Sequence, residues 1–197
     1  MTLYKKRERF RGVSAKLGRA FSKLGLSPNQ WTALTLVFAV ITMYFLVEKN
    51  FLLAALFLLI TAFIDIIDGS VARVTGKATK LGAYFDTIAD RYVETIIIFG
   101  LLFASLPNFF IPVYAWVFLY FFGSLMTTYA KSAASEKGLV KKELSGGLLE
   151  RADRMVLLFI GLLLALLNPL YLTYIIILLA VLTNISALQR IGSAVKG

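Results

Sequence analysis

Cysteine and histidine are both absent from the 197 residues. Without cysteine there are no disulfides and no thiolate metal sites. Without histidine the commonest general base and the usual zinc ligand are gone. Any acid–base or metal chemistry therefore rests on Asp, Glu, Lys, Arg and Tyr. Charge is scarce as well: 16% of residues are charged against 59% hydrophobic, and the mean hydropathy is +0.79. A soluble domain is usually about 25% charged and about 45–50% apolar, so the balance points to lipid as solvent. Acids are the scarcer sign, 11 against 21 bases, which leaves a net charge of +10.

That positive excess is concentrated at one end. Residues 1–26 hold Lys5, Lys6, Arg7, Arg9, Arg11, Lys16, Arg19 and Lys23 against the single acid Glu8. A basic stretch can bind nucleic acid, but this one leads straight into a hydrophobic segment, so nucleic acid is not an expected partner. It reads instead as a surface helix lying on an anionic leaflet. Phe10, Val13, Leu17 and Phe21 recur at helical spacing and give it a greasy face. A secretory signal peptide fits poorly, since the basic stretch is too long and no short apolar region with a small-residue cleavage site follows.

A spanning helix needs about 20 mostly apolar residues. Six such runs are expected, at about Trp31–Val47, Phe51–Val74, Leu81–Ala104, Phe109–Ala134, Leu149–Leu167 and Leu170–Gln189. Ser27-Pro28-Asn29 opens the first as a helix start, and Glu48-Lys49-Asn50, Leu106-Pro107-Asn108 and Asn168-Pro169 mark turns. The connecting segments alternate in charge. The N-terminus, the 73–80 and 137–147 segments and the C-terminus carry nearly all Lys and Arg, while the opposite loops offer only Lys49 beside Glu48. By the positive-inside rule both termini face the cytoplasm. The expected architecture is an all-α integral membrane protein: an amphipathic surface helix over residues 1–26, then one six-helix membrane domain over residues 27–197.

Charge inside an apolar span is expensive and marks function by default. Spans two and three nonetheless contain Asp65, Asp68, Arg73, Asp86, Asp90, Arg91 and Glu94. Asp65 and Asp68 are three apart and share a helix face; Asp86 and Asp90 are four apart and do likewise. Counted from the edges of the short 75–80 loop at about 1.5 Å per residue, Asp68 and Asp86 lie about 8–9 Å deep and Asp65 and Asp90 about 14 Å deep. Four carboxylates at two matched depths on facing helices repel one another and call for cations. An all-oxygen cluster is what hard divalent ions such as Mg²⁺ or Mn²⁺ select. Two carboxylate pairs point to two metals, the arrangement that clamps attacking and leaving oxygens in phosphoryl transfer. Gly69, Ala72 and Gly82 flank the acids and let a backbone or a nucleotide approach. Arg73, Thr79 and Lys80 at the cytoplasmic mouth are placed to hold a diphosphate. Three readings stay open on the residues alone: a metal-dependent transferase, a cation transporter, and structural pairing of the acids with Arg73 and Arg91.

In full, residues 65–90 run Asp65-x2-Asp68-Gly69-x2-Ala72-Arg73-x8-Gly82-x3-Asp86-x3-Asp90. This resembles, at all eight fixed positions, the signature of the CDP-alcohol phosphatidyltransferase family, and the six-span layout with a basic leading helix resembles that family over nearly the whole chain. The resemblance implies that Asp65, Asp68 and Asp86 ligate one metal and Asp65, Asp86 and Asp90 a second. It also implies that Asp90 is the general base, and that Gly69 and Arg73 contact the CDP part of a CDP-linked lipid donor. Thr79 and Gly82, with Asn29 and Thr32 at the start of span one, belong by the same resemblance to the donor pocket, although Pro-Asn before a helix is also an ordinary cap.

A second likeness concerns the acceptor. Tyr129-x-Lys131, Gly146-Gly147-x2-Glu150-Arg151-x2-Arg154 and Gln189-Arg190 resemble the branch that makes phosphatidylinositol phosphate or its archaeal ether-lipid counterpart. There the residues matching Lys131, Arg154 and Arg190 bind the acceptor's own phosphate, and Arg151 is a further candidate that Glu150 or Asp153 would compete for. A phosphate dianion does need two or three cations on different helices, although such cations are also ordinary positive-inside flanks. Ala152 departs from the proline that many members of the branch carry. The expected activity is transfer of a lipid phosphoryl group from a CDP-lipid to inositol phosphate, by a plasma-membrane enzyme with its active site facing the cytoplasm. Homodimerisation is implied by the resemblance only. The same chemistry on glycerol 3-phosphate, or CDP-inositol with inositol phosphate, remains the alternative.

Overall fold

The computed structural model describes residues 7–140 and 147–196. Lys5, Lys6 and Gly146 lie outside the described residues, as do the side chains of Phe10 and Val13. Seven helices follow one another among the described residues: α1 Arg7–Ser22, α2 Pro28–Val47, α3 Phe51–Val74, α4 Lys80–Phe103, α5 Val113–Glu136, α6 Arg151–Ala165 and α7 Pro169–Lys196. The chain is a multi-pass, all-helical membrane protein. Four helices are long and apolar enough to cross a bilayer by length and composition: Pro28–Val47, Phe51–Val74, Val113–Glu136 and, within α7, Pro169–Val195. The other two expected spans fall short for different reasons. α4 has 24 residues but carries Lys80, Asp86, Asp90, Arg91 and Glu94. α6 has only 15 residues, or about 22 Å against a hydrocarbon core of about 30 Å.

Helix ends follow local chemistry. α2 starts with a reciprocal box, Gln30 N–H to Ser27 Oγ (3.3 Å) and Ser27 N–H to Gln30 Oε1 (2.8 Å), with Pro28 at the first helical position where its missing N–H costs nothing. Asn50 Oδ1 accepts from Leu53 N–H and opens α3; Thr79 Oγ1 accepts from Gly82 N–H and opens α4. The span expected from Phe109 begins instead at Val113. Residues 109–111 form a tight turn in which Trp116 Nε1 donates to Phe109 O and Asn108 Oδ1 accepts from Val113 N–H. α7 runs on to Lys196 rather than ending near Gln189, since nothing in 190–196 breaks a helix except Gly192, which the interior tolerates.

The chain divides into two compact units. The first, Met1–Ile41 with Leu56–Ile96, holds α1 and most of α2, α3 and α4. Its core is Trp31, Ile64, Ile67 and Val71, packed by Phe21, Leu26, Leu34, Phe38 and Ile60. Phe21 meets Trp31 edge-on at 5.6 Å and Phe63 at 6.0 Å. The greasy end of α1 is thus spent on protein, against α2 and α3. Gly18 makes the approach possible, because a Cβ there would lie 2.5 Å from Ser70 O.

The second unit, Thr42–Ala55 with Ile97–Gly197, is built on α5 and α6 packed against α7. Gly123 on α5 faces Thr183 Oγ1 and Asn184 so closely that any side chain would collide. Asn184 Nδ2 uses the proximity to donate to Leu119 O at 2.9 Å. Small residues that let helix backbones approach are the usual device where lipid removes the hydrophobic drive between helices.

Candidate active site

α3 and α4 are antiparallel neighbours across the 75–79 turn, and they bring Asp65, Asp68 and Asp86 together. One carboxylate oxygen from each lies within 4.8 Å of the others. Asp68 is 4% exposed and Asp65 and Asp86 are half-buried. The oxygens around one Mg²⁺ lie at most about 4.2 Å apart, twice a bond of about 2.1 Å. The three acids therefore need only a small contraction to share a hard divalent ion. Asp90 is half-buried on α4, one turn beyond Asp86, and stands outside this closest group among the described residues. Arg91 turns to the buried Glu94, Nη1 to Oε2 at 2.9 Å, which gives that acid a partner of its own.

A cleft opens beside the three acids, lined by Pro28, Asn29, Thr32, Asp68, Gly69 and Arg73 on one side and by Lys77, Thr79, Gly82, Ala83 and Asp86 on the other. All six residues expected to meet the donor are in it. Thr32 donates from Oγ1 to Asp68 Oδ2 at 3.0 Å and so ties α2 to the metal-ligating candidate. Asn29 is not the cap of α2, because Ser27 and Gln30 do that work; its Oδ1 instead comes within 4.0 Å of where a Cβ on Gly82 would sit. Thr79 has two duties, lining the cleft and capping α4. Gly69 earns its identity from Arg73: a Cβ at 69 would stand 3.3 Å from Arg73 Nη1. The guanidinium lies back across the glycine one turn earlier. Lys77 lines the cleft where Lys80 was expected; Lys80 starts α4 and does not.

Arg73 Nη2 donates to Ser14 Oγ at 2.9 Å and to Ser70 Oγ at 3.3 Å. Neither serine stands out in the sequence. Small polar residues 56 positions apart carry no pattern from which the contact is legible.

The expected acceptor cations all belong to the second unit. Arg154 is 2% exposed on α6, an unusual position for a guanidinium and a poor fit to a mere flanking charge. Arg190 Nη1 donates to Thr127 O at 2.8 Å, one helical turn before the half-buried Lys131. Gly147 has φ +120°, and a Cβ there would approach Ser186 Cβ at 3.4 Å and Arg190 Nε at 3.6 Å, which accounts for this glycine of the Gly146-Gly147 pair. The strand of chain leading into α6 is held on α7 by Leu149 N–H to Ser186 Oγ at 3.0 Å and Leu148 N–H to Gln189 Oε1 at 3.2 Å. Asp153 serves the start of α6, its Oδ2 accepting from Glu150 N–H at 2.9 Å. Arg151 is half-buried beside them.

Three comparisons bear on this geometry. Residues 26–186 match the family model described as CDP-alcohol phosphatidyltransferase. The chain is 31% identical over 181 residues to an archaetidylinositol phosphate synthase of Pyrococcus horikoshii, covering 92% of this chain and 90% of that one. Among solved structures it resembles the phosphatidylinositol phosphate synthase of Mycobacterium tuberculosis with CDP-DAG bound, with TM-score 0.81 and 24% identity over 92% of this chain and 93% of that one. The same enzyme in complex with manganese and citrate superposes equally well, again with TM-score 0.81 and 24% identity, covering 92% and 88% of the two chains.

Proposed function

The chain belongs to the CDP-alcohol phosphatidyltransferase family, and from that premise we propose that this membrane transferase moves a phosphatidyl or archaetidyl group from a CDP-lipid onto inositol phosphate, with release of CMP. The observation that carries the reading is the cleft itself. Asp68, Gly69, Ala72, Arg73, Gly82 and Asp86, six of the eight signature positions, line one opening together with Asn29, Thr32 and Thr79, and Asp65 completes the carboxylate group beside it.

The roles follow from chemistry. Asp65, Asp68 and Asp86 would hold one divalent ion, Mg²⁺ or Mn²⁺, and Asp65, Asp86 and Asp90 a second; when bound, such ions would neutralise charge on the donor's diphosphate. Arg73 contacts the CDP phosphates, with Asn29, Thr32, Thr79 and the open backbone at Gly69 and Gly82 shaping the pocket. Asp90 takes the proton from the acceptor hydroxyl. The hydroxyl oxygen forms a bond to the lipid-proximal phosphorus, the bond from that phosphorus to the CMP oxygen breaks, and CMP leaves. Lys131, Arg151, Arg154 and Arg190 bind the acceptor's phosphate. The burial of Arg154 supports this, because a fully buried guanidinium is a poor fit to an ordinary flanking charge.

We further infer that α4 and α6 cross the bilayer with the four longer helices, that α1 lies at the membrane surface, and that both termini and the cleft face the cytoplasm. The distribution of Lys and Arg supports that orientation. A plasma-membrane location and a homodimer, formed by the 27–197 domain, belong to the same reading.

A panel of acceptors tests the assignment. Purified protein with a CDP-lipid is expected to release CMP with inositol phosphate and far less with free inositol or glycerol 3-phosphate. Arg154→Ala is expected to raise the KM for inositol phosphate by about 10- to 150-fold, the range for a lost charge-assisted contact of about 1.5–3 kcal/mol. The donor KM should barely move. Arg154→Lys should recover part of the loss, since a point charge cannot make the two-pronged contact of guanidinium with phosphate. Equal use of free inositol, or an unchanged acceptor KM in Arg154→Ala, would overturn the acceptor while leaving the family in place.

A further inference from the structure

We propose that Ser14 on the surface helix α1, working with Ser70 on α3, is a positioning residue for the donor site: the two hydroxyls hold the Arg73 guanidinium in the orientation that meets the CDP-lipid. This rests on the reading of Arg73 given above and names a regulator of that site on an element outside it.

The hydrogen bonds leave one proton arrangement. A hydroxyl has one proton and two acceptor sites. Ser70 Oγ donates to Ile66 O at 2.7 Å, which uses its proton. The Ser14 Oγ to Ser70 Oγ contact, 2.7 Å, therefore takes its proton from Ser14. Both oxygens remain acceptors, and both receive Arg73 Nη2, at 2.9 and 3.3 Å. A chain of donors thus runs from guanidinium through Ser14 and Ser70 to a helix carbonyl, each bond polarising the next in the same sense.

The arithmetic of the guanidinium points the same way. Of its five N–H groups, the two on Nη2 go to the serines. Nε and Nη1 keep three, and Nη1 is the atom that lies over Gly69, a residue of the cleft wall. The serines thereby occupy the far edge of the fork and turn the near edge toward the ligand. Arg73 is exposed, and a long exposed side chain otherwise spreads over many rotamers, a loss that any ligand would have to overcome on binding. Ser14 makes the shorter of the two bonds to Arg73. Ser14 reaches the site only because Gly18, one turn further along α1, lets the helix lie directly on Ser70 O.

The test is steady-state CMP release with a CDP-lipid of fixed composition in detergent micelles. Ser14→Ala is expected to raise the donor KM about two- to tenfold, the range for one net hydrogen bond, with kcat within about twofold and the acceptor KM unchanged. Ser14→Thr, which keeps the hydroxyl, should restore the donor KM. In an Arg73→Ala background, Ser14→Ala should add nothing, because the residue it positions is gone. Ser70→Ala gives the same readout should Ser14→Ala not purify as a folded protein. A donor KM unchanged in Ser14→Ala, an equal rise in the Arg73→Ala background, or a fall in kcat at constant KM each overturns the proposal. Absence of CMP release by the wild-type protein is a different result, and would count against the transferase reading instead.

Discussion

A carboxylate on a membrane helix costs several kcal/mol unless something compensates it, so each acid of α3 and α4 has to be accounted for individually. Glu94 is accounted for by Arg91 and Asp68 in part by Thr32, whereas the crowded oxygens of Asp65, Asp68 and Asp86 repel one another and are accounted for by the divalent ion they would share. Asp90 is the acid assigned to the proton. Asp90→Asn is nearly isosteric but loses basicity, so CMP turnover should fall by about 10²–10⁴-fold, the range for general-base roles, while CDP-lipid binding is largely spared. Turnover above about a tenth of wild type would remove Asp90 from that role. At this scale the acids were legible in the sequence because charge in an apolar run is conspicuous. Ser14 and Ser70 were not, since a serine in a helix is unremarkable until the packing at Gly18 shows what it touches. Asn29 was ambiguous between cap and ligand until the Ser27–Gln30 pair took over the capping.

Between helices, the sequence is read through its breaks, and the accuracy of that reading tracks the strength of each break. Glu48-Lys49-Asn50 placed the start of α3 at Phe51, because Asn50 caps it. The start of α5 was set four residues too early, as the turn at 109–111 is made of apolar residues that composition cannot separate from a span. α6 starts later than expected because Gly147 to Glu150 is a non-helical strap held on α7 by its own backbone N–H groups, and it ends earlier because Leu166 and Leu167 tighten into a final turn. The α5–α7 seam offers a test at this scale. A Cβ at Gly123 would collide with Thr183 Oγ1 and lie 2.8 Å from the backbone N of Asn184, so Gly123→Val must force the helices apart. Overpacking of this kind costs about 1–3 kcal/mol and should appear as a lower thermal-unfolding midpoint in detergent. An unchanged midpoint would mean the seam is looser than the structure has it.

Taken whole, the molecule divides its labour. The Met1–Ile41 and Leu56–Ile96 unit carries the carboxylates and the donor cleft, and the Thr42–Ala55 and Ile97–Gly197 unit carries the cations assigned to the acceptor. That division explains why the family was plain from the sequence and the acceptor less so. The donor signature is packed into residues 65–90, on one hairpin, whereas Lys131, Arg154 and Arg190 are spread over three helices and mimic flanking charges. The central claim is that a divalent ion held by Asp65, Asp68 and Asp86 is required for transfer from the CDP-lipid. The measurement that tests it most directly is CMP release by the purified protein, given a CDP-lipid and inositol phosphate, in excess chelator and after adding back metal. Activity is expected to vanish in chelator and to return with Mg²⁺ or Mn²⁺, the hard ions that an all-oxygen site selects. Undiminished CMP release in chelator would contradict the account.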